Sequence, residues 1–403
     1  MGLKTALGQL KQWFMGITRL RSAQAVVPPS DENSAEVSRM LGLALQGQGQ
    51  LDLAFQQFRL APQVEAVMQD LRGLAQDFER AQQFSQAGEV LRYIASCTSD
   101  DQQLQAQLKN IEALSDLNSG SRNTLLGSYQ LGKELGKGAM GVVYLGLDTQ
   151  SGRAVAIKTM DLSAEFEGRD LVDARERFFR EAETAGRLQH PNIVKIHASG
   201  EDRELAFIAM EFLKGSDLVR YCQQGHLLPV PTVLSIVARV AEALAYAHRL
   251  NVVHRDIKPA NIMYDAGSDS VKVTDFGIAR ITDASKTKTG LVLGTPSFMS
   301  PEQLAGKKVD GRSDLYSLGV MLFQMLCGVL PFRGDSMAEL MYNITTVEAP
   351  DIRVIRQDLL PNLASLVATA LHKRPEDRYQ DGDQLARELR AVLSGASPID
   401  LEI

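Results

Sequence analysis

The stretch VVHRDIKPANIMYD, residues 252–265, places an aspartate, a lysine and an asparagine in one short loop between apolar runs. Asp256 offers a carboxylate that can orient a hydroxyl and accept its proton. Lys258 offers a cation for an anionic group in transfer, and Asn261 an amide oxygen for a metal ion. A little further on, VKVTDFG (271–277) sets Asp275 directly after an apolar strand-like run, where it can supply a second oxygen ligand. Each of these residues alone reads as a solvated loop charge. In this order they define one reacting centre.

Upstream, YQLGKELGKGAMGVVYLG (129–146) sets Gly136, Gly138 and Gly141 between two apolar runs. Glycines there let a backbone approach a polyphosphate without Cβ clashes. A dinucleotide-binding glycine motif opens a helix, whereas Val142, Val143 and Tyr144 continue as a strand, so a hairpin is predicted. VAIK ends that region at Lys158, and a lysine closing an apolar strand must find an anion. The helical pattern DARERFFREAETAGRLQH (173–190) provides Glu181 as the expected ion-pair partner, beside the inward positions Phe178, Ala182 and Ala185, with Glu183 as the alternative.

With these motifs in sequence, residues 129 to about 390 resemble a Hanks-type serine/threonine protein kinase, and KPANI and MSPEQ resemble its bacterial branch. The resemblance implies an α+β, two-lobed protein kinase fold, with a small β-rich lobe before a larger helical one. It further implies ATP and Mg²⁺ as cofactors, with Mn²⁺ as a substitute. Leu135, Val143, Ala156 and Met263 would sandwich the adenine, Met210 would be the gatekeeper, and the backbone of Glu211 and Leu213 would bond the adenine edge. Gly136, Gly138 and Gly141 would cover the phosphates, Lys158 would hold the α and β phosphates, and Glu181 would hold Lys158. Asp256 would be the catalytic base, with Asn261 and Asp275 binding the metal. Glu302 and Arg378 would form a buried ion pair, and Asp314 would lie on the helix that fixes the catalytic loop.

By the same resemblance Lys258 and Thr295 mark a Ser/Thr acceptor. Arg255 is one of the basic residues that receive a phosphate from the segment between DFG and SPEQ. Thr287 and Thr289 of SKTKTG are the expected phosphorylation sites, because a phosphate adds close to two negative charges and acceptors suited to an arginine fork. The alternatives are a pseudokinase scaffold acting through helical repeats in its N-terminal third and a small-molecule kinase. The filled catalytic positions speak against the first, and the extended segment with Thr295 against the second.

The N-terminal third reads differently. Residues 3–20 place Leu3, Ala6, Leu7, Leu10, Phe14, Ile17 and Leu20 at helical spacing, with Lys4, Lys11, Arg19 and Arg21 mostly elsewhere. This predicts an amphipathic basic helix; packing on its own domain is preferred over contact of residues 3–21 with a membrane surface. After a Pro-bearing break, LGLALQGQGQLDLAFQQFRLA from Leu41 overlays LAQDFERAQQFSQAGEVLRYI from Leu74. The overlay pairs Leu41 with Leu74, Gly42 with Ala75, Leu45 with Phe78, Ala54 with Ala87 and Phe58 with Leu91. A period near ~34 residues resembles tetratricopeptide repeats, which implies a groove for a peptide or protein ligand and a route to a homodimer. The expected organisation is a basic helix at 1–24, a linker at 25–36, the repeat module at 37–117 and a linker at 118–128. The kinase domain then spans 129–390, with a tail at 391–403.

Lys plus Arg at 43 against Asp plus Glu at 49 removes a global electrostatic case for nucleic acid. Three dispersed cysteines indicate neither a disulfide framework nor a metal knuckle. No apolar run approaches the ~20 residues of a membrane span, so a cytoplasmic chain is expected; the kinase resemblance implies protein substrates.

Overall fold

The computed structural model describes residues 32–61, 64–81, 83–98, 101–118, 124–138, 141–164, 166–276 and 296–395. The chain divides into two compact units, Met1–Ser115 and Asp116–Ile403.

The first unit is helical: α1 Glu32–Gly47, α2 Leu51–Phe58, α3 Glu65–Arg80, α4 Phe84–Cys97 and the start of α5, Gln102–Asn118. The internal repeat is visible in its turns. Gln50 and Gln83, one repeat apart, precede α2 and α4 with nearly the same backbone, φ −87° and ψ 63° against φ −91° and ψ 63°. Their N–H groups close the same bond, to Leu45 O at 3.0 Å and Phe78 O at 2.9 Å. Phe58, Leu71, Leu74, Phe78, Leu91 and Ile94 are buried between the helices.

Gly42 shows how the two copies exchange volume. A Cβ there would lie 2.7 Å from the Phe58 ring; the second copy carries Ala75 and the smaller Leu91 at the paired positions. Gly42→Ala should therefore overpack the first hairpin and cost about 1–3 kcal/mol, and Phe58→Leu added to it should recover most of that loss. Thermal unfolding of the two variants followed by circular dichroism checks both.

Three expected boundaries move, two of them around the helical module. Helix α1 already begins at Glu32, inside the expected 25–36 linker. Strand β1, Thr124–Leu126, lies in the expected 118–128 linker and pairs antiparallel with β2. The 1–24 segment lies outside the described residues.

The second unit opens with a six-stranded antiparallel sheet in the order β1-β2-β3-β4-β6-β5. Its remaining strands are β2 Tyr129–Gly138, β3 Gly141–Asp148, β4 Arg153–Asp161, β5 Ile196–Asp202 and β6 Leu205–Glu211. Helix α6, Gly168–Gly186, buries Ala174, Phe178 and Ala182 with Met160, Ala206 and Ile208 of this sheet, and Ala185 is buried as well. The inward stripe read from the sequence is thus the one buried.

The helical lobe is built on α7 Val230–Arg249 and α9 Gly311–Cys327, between which lies the short α8 Pro301–Leu304. A small sheet of β7 Ser216–Asp217, β8 Ile262–Asp265 and β9 Ser270–Val273 carries the loop of interest between α7 and β8. Helices α10 Met337–Thr346, α11 Ile352–Ile355, α12 Pro361–Ala370 and α13 Gly382–Ser394 complete it. Helix α13 continues past residue 390, into the expected tail.

Helix α7 corrects the expectation of no long apolar segment: by length and composition it could cross a membrane. Here Val233, Ile236, Val237, Val240 and Leu244 are buried in the lobe core instead. The backbone of α13 meets it closely, since a Cβ at Gly382 would lie 2.1 Å from Ala241 O.

Candidate active site

The glycine segment is a β-hairpin, as its residues predict. Gly136 pairs with Val143 and Gly138 with Gly141 across β2 and β3. Gly141 has φ +121°, and a Cβ there would sit 1.8 Å from Thr159 O, so only glycine lets this strand close onto β4. Below the hairpin, Ala156 pairs with Met210 across β4 and β6. Ala156, Met210 and Val194 form one buried cluster, with Val143 and Leu213 packed against it. Leu135 on β2 is 41% exposed, and Met263 lies half-buried on β8. Of the residues expected to face adenine, Val143 and Ala156 are therefore gathered with Met210 into an apolar surface.

Glu211, at the end of β6, is held on two sides. Its Oε1 accepts from Lys195 N at 2.8 Å and from Lys272 Nζ at 2.7 Å. Lys272 belongs to β9, so this pair ties the strand leading out of the upper sheet to the strand leading toward Asp275. The signal was present in VKV, where a lysine inside an apolar strand requires an anion.

Lys158, buried in β4, donates to Asp275 Oδ1 at 2.8 Å across 117 residues. Burial would raise the Asp275 carboxyl, but the charge and hydrogen bond of Lys158 outweigh it and hold the group below its usual range. Asp275 has φ +62°, a left-handed backbone that an aspartate tolerates better than most residues. Glu181 is half-buried on α6, next to buried Ala182, whereas Glu183 is exposed and pairs with Arg187 at 2.6 Å. The outward position of Glu183 removes it as the alternative partner of Lys158.

The loop 252–265 is fixed by backbone bonds to a single carboxylate. Asp314, 1% exposed on α9, accepts from His254 N at 2.8 Å and Arg255 N at 2.7 Å, and contacts His248 Nε2 at 2.8 Å. Those bonds hold Arg255 at φ +68°. His254 is fully buried. Its Nδ1 accepts from Asp256 N at 3.2 Å and its Nε2 donates to Thr274 O at 2.7 Å, a pattern that selects the neutral Nε2–H tautomer. The imidazole so links the Asp256 backbone to the strand that delivers Asp275.

Three predicted residues then meet. Lys258 Nζ lies 2.7 Å from Asp256 Oδ2, and Asn261 Nδ2 donates to the same oxygen at 3.0 Å and to Asp256 O at 2.7 Å. The Asn261 carbonyl accepts from Thr274 N at 2.9 Å. Because Asn261 turns its amide hydrogens to Asp256, its Oδ1 is left as an acceptor. Together with the ionised Asp275 it makes a hard-oxygen pair that would suit a divalent cation such as Mg²⁺. No cluster of three or more His, Cys, Asp or Glu suited to a metal occurs among the described residues.

Glu302 and Arg378 form a bidentate pair, with Nη1 to Oε1 and Nη2 to Oε2 both at 2.8 Å. The Arg378 guanidinium also lies 4.8 Å from the Tyr316 ring centroid. Ser300, fully buried, caps α8: its hydroxyl accepts from Gln303 N at 3.3 Å, and Gln303 Oε1 accepts from Ser300 N at 3.0 Å. The capped Gln303 then donates from Nε2 to Arg255 O at 2.9 Å. The cap, though not the link to Arg255, was readable as a Ser-x-x-Gln capping box in SPEQ. Thr287, Thr289 and Thr295 lie outside the described residues.

A family model for the protein kinase domain matches residues 129–389. A probable serine/threonine-protein kinase of Streptomyces coelicolor is 40% identical over 278 residues, covering 67% of this chain and 40% of that protein. The serine/threonine-protein kinase PknB of Mycobacterium leprae is 38% identical, covering 67% and 44%. The kinase pkn3 of Myxococcus xanthus is also 38% identical, covering 67% and 50%. The chain spans half the length or less of these relatives. With its two-lobed fold and the gathered catalytic loop, the chain belongs to the protein kinase family.

Proposed function

We propose that this chain is an ATP-dependent serine/threonine protein kinase, transferring the γ-phosphoryl group of ATP to hydroxyls of protein substrates. The convergence of Lys258 and Asn261 on the Asp256 carboxylate, with Asp275 held ionised by Lys158, carries this reading. Asp256 orients the acceptor hydroxyl and takes its proton as the oxygen attacks phosphorus. Lys258, 2.7 Å from that carboxylate, offsets charge on the phosphoryl group in flight. The glycine hairpin and Lys158 position the phosphates, while Ala156, Val143 and Met210 shield the adenine from water. Mg²⁺, held by Asn261 and Asp275, would neutralise charge on the phosphate oxygens.

Glu181 orients Lys158 in this scheme. Thr295 lines the acceptor platform, and phosphate on Thr287 or Thr289 orders its segment through Arg255. Helices α1 to α5 act as a short tetratricopeptide-like module that binds a protein partner or sets the oligomeric state, and the chain works in the cytoplasm. The matched turns at Gln50 and Gln83 support the repeat. Phosphosite mapping of the wild type beside Lys158→Met, each expressed alone, tests the control step. Phosphate on Thr287 or Thr289 in the wild type only is expected; the same phosphates on both chains would rule out autophosphorylation.

A further inference from the structure

The repeat in the first unit has an operator, and its two visible uses show what the unit's open edge is built to receive. Helix α3 meets α1 through Asp70, Gly73 and Asp77. Asp70 accepts from Arg39 Nε at 2.6 Å and Asp77 from Gln46 Nε2 at 2.7 Å, while a Cβ at Gly73 would lie 3.7 Å from Gln46 Nε2. One repeat on, Arg72 takes the place of Arg39 and reaches forward to Asp101 at 2.9 Å, just before α5. Each first helix of a pair thus presents one face backward to the helix before it and another forward to the next.

Carried back by one repeat, the backward face of α1 consists of Val37, Met40 and Ala44. In α3 the matching positions are polar or bare; in α1 they are apolar. Val37 is 51% and Met40 53% exposed, and Leu43 beside them is 41% exposed. An apolar face at the place where a preceding helix would pack calls for an apolar helix in front of it. The chain holds one such segment there, residues 3–20, whose stripe runs through Leu3, Leu7, Leu10, Phe14, Ile17 and Leu20.

Reach permits the docking in either direction. Residues 21–31 separate this segment from α1, and extended they span up to ~36 Å at about 3.3 Å per residue. The 16 residues of α1 are about 24 Å long, so a returning chain has enough length. The exposed Glu36 lies next to Val37 and gives the basic rim of Lys4 and Lys11 an acidic neighbour.

We propose that residues 3–20 form a helix that docks by its apolar stripe on Val37, Met40 and Leu43, closing the open edge of the helical module. Trp13, the single tryptophan of the chain, lies beside that stripe and reports on it without a label. The test uses the full chain and the double variant Val37→Glu/Met40→Glu, with Leu53→Glu, 47% exposed on α2, as control. Circular dichroism verifies that all three remain folded.

In the wild type, at a dilution where sedimentation shows monomer, Trp13 emission should be blue of the urea-unfolded value and amides 3–20 should be protected from hydrogen exchange. The double variant should lose this protection roughly tenfold or more and move the emission to the red, while Leu53→Glu changes neither. Wild-type emission equal to the unfolded value, or a double variant without effect, overturns the proposal. So does a blue shift that appears only on dimerisation or only with anionic vesicles, which assigns the stripe to a second copy or to a lipid surface.

Discussion

Asp256→Asn should lower the turnover of protein phosphorylation by roughly 10²–10⁴-fold, the range of a positioned general base, while leaving ATP affinity near the wild-type value. The amide has nearly the shape of the carboxylate and can still contact Lys258 and Asn261, which lie 2.7 and 3.0 Å from Oδ2. It cannot accept the hydroxyl proton. Steady-state kinetics with a Ser/Thr protein substrate, beside ATP binding by calorimetry, separates the two effects. Equal losses in turnover and in ATP affinity would instead mark Asp256 as a residue that merely shapes the site.

The largest stability effect should come from Arg378→Met. The side chain is fully buried, and its removal leaves Glu302 as a charge without its bidentate partner. Breaking one side of such a pair costs about 3–5 kcal/mol, which in a domain of this size lowers the melting temperature by roughly 6–20 °C. The pH dependence has a definite sign. Burial pushes the Glu302 carboxyl up, but the Arg378 and Ser313 bonds more than offset it and set the group below its usual range. A lowered folded value means stability that is present above the ordinary glutamate range and lost as pH falls through the folded value. Denaturant unfolding near neutral pH and in acid should show the wild-type advantage over Arg378→Met shrinking in acid; an advantage that grows there contradicts the pair's role.

The catalytic loop was legible because its chemistry is dense and local: Asp256, Lys258 and Asn261 fall within one turn of chain, and their meeting needs no long-range guess. The glycine hairpin was legible too, since Val142 to Tyr144 could only continue as a strand. Contacts between distant segments were harder to read. Lys158 needed an anion, but residue spacing alone could not point to Asp275, 117 positions on, as the carboxylate that the fold brings to 2.8 Å. The same holds for Lys272 with Glu211 and His248 with Asp314, each pair more than sixty positions apart. Strand β1 was missed because three residues carry no period, and α7 because its apolar residues surround the helix and are broken by a few charges. The repeat, in contrast, was visible as paired large and small residues, and the exchange of Gly42 and Phe58 for Ala75 and Leu91 shows how each copy matches its own volumes.

The central claim, that the gathered loop transfers phosphate to Ser/Thr hydroxyls of proteins, is tested most directly by incubating the purified chain and a generic protein substrate with Mg²⁺ and ATP labelled in the γ-phosphate. Acid hydrolysis then identifies the phosphorylated amino acids. The account predicts label on phosphoserine and phosphothreonine and none with Asp256→Asn. Label absent from every protein while ATP still binds, or found only on a small-molecule acceptor, would contradict it.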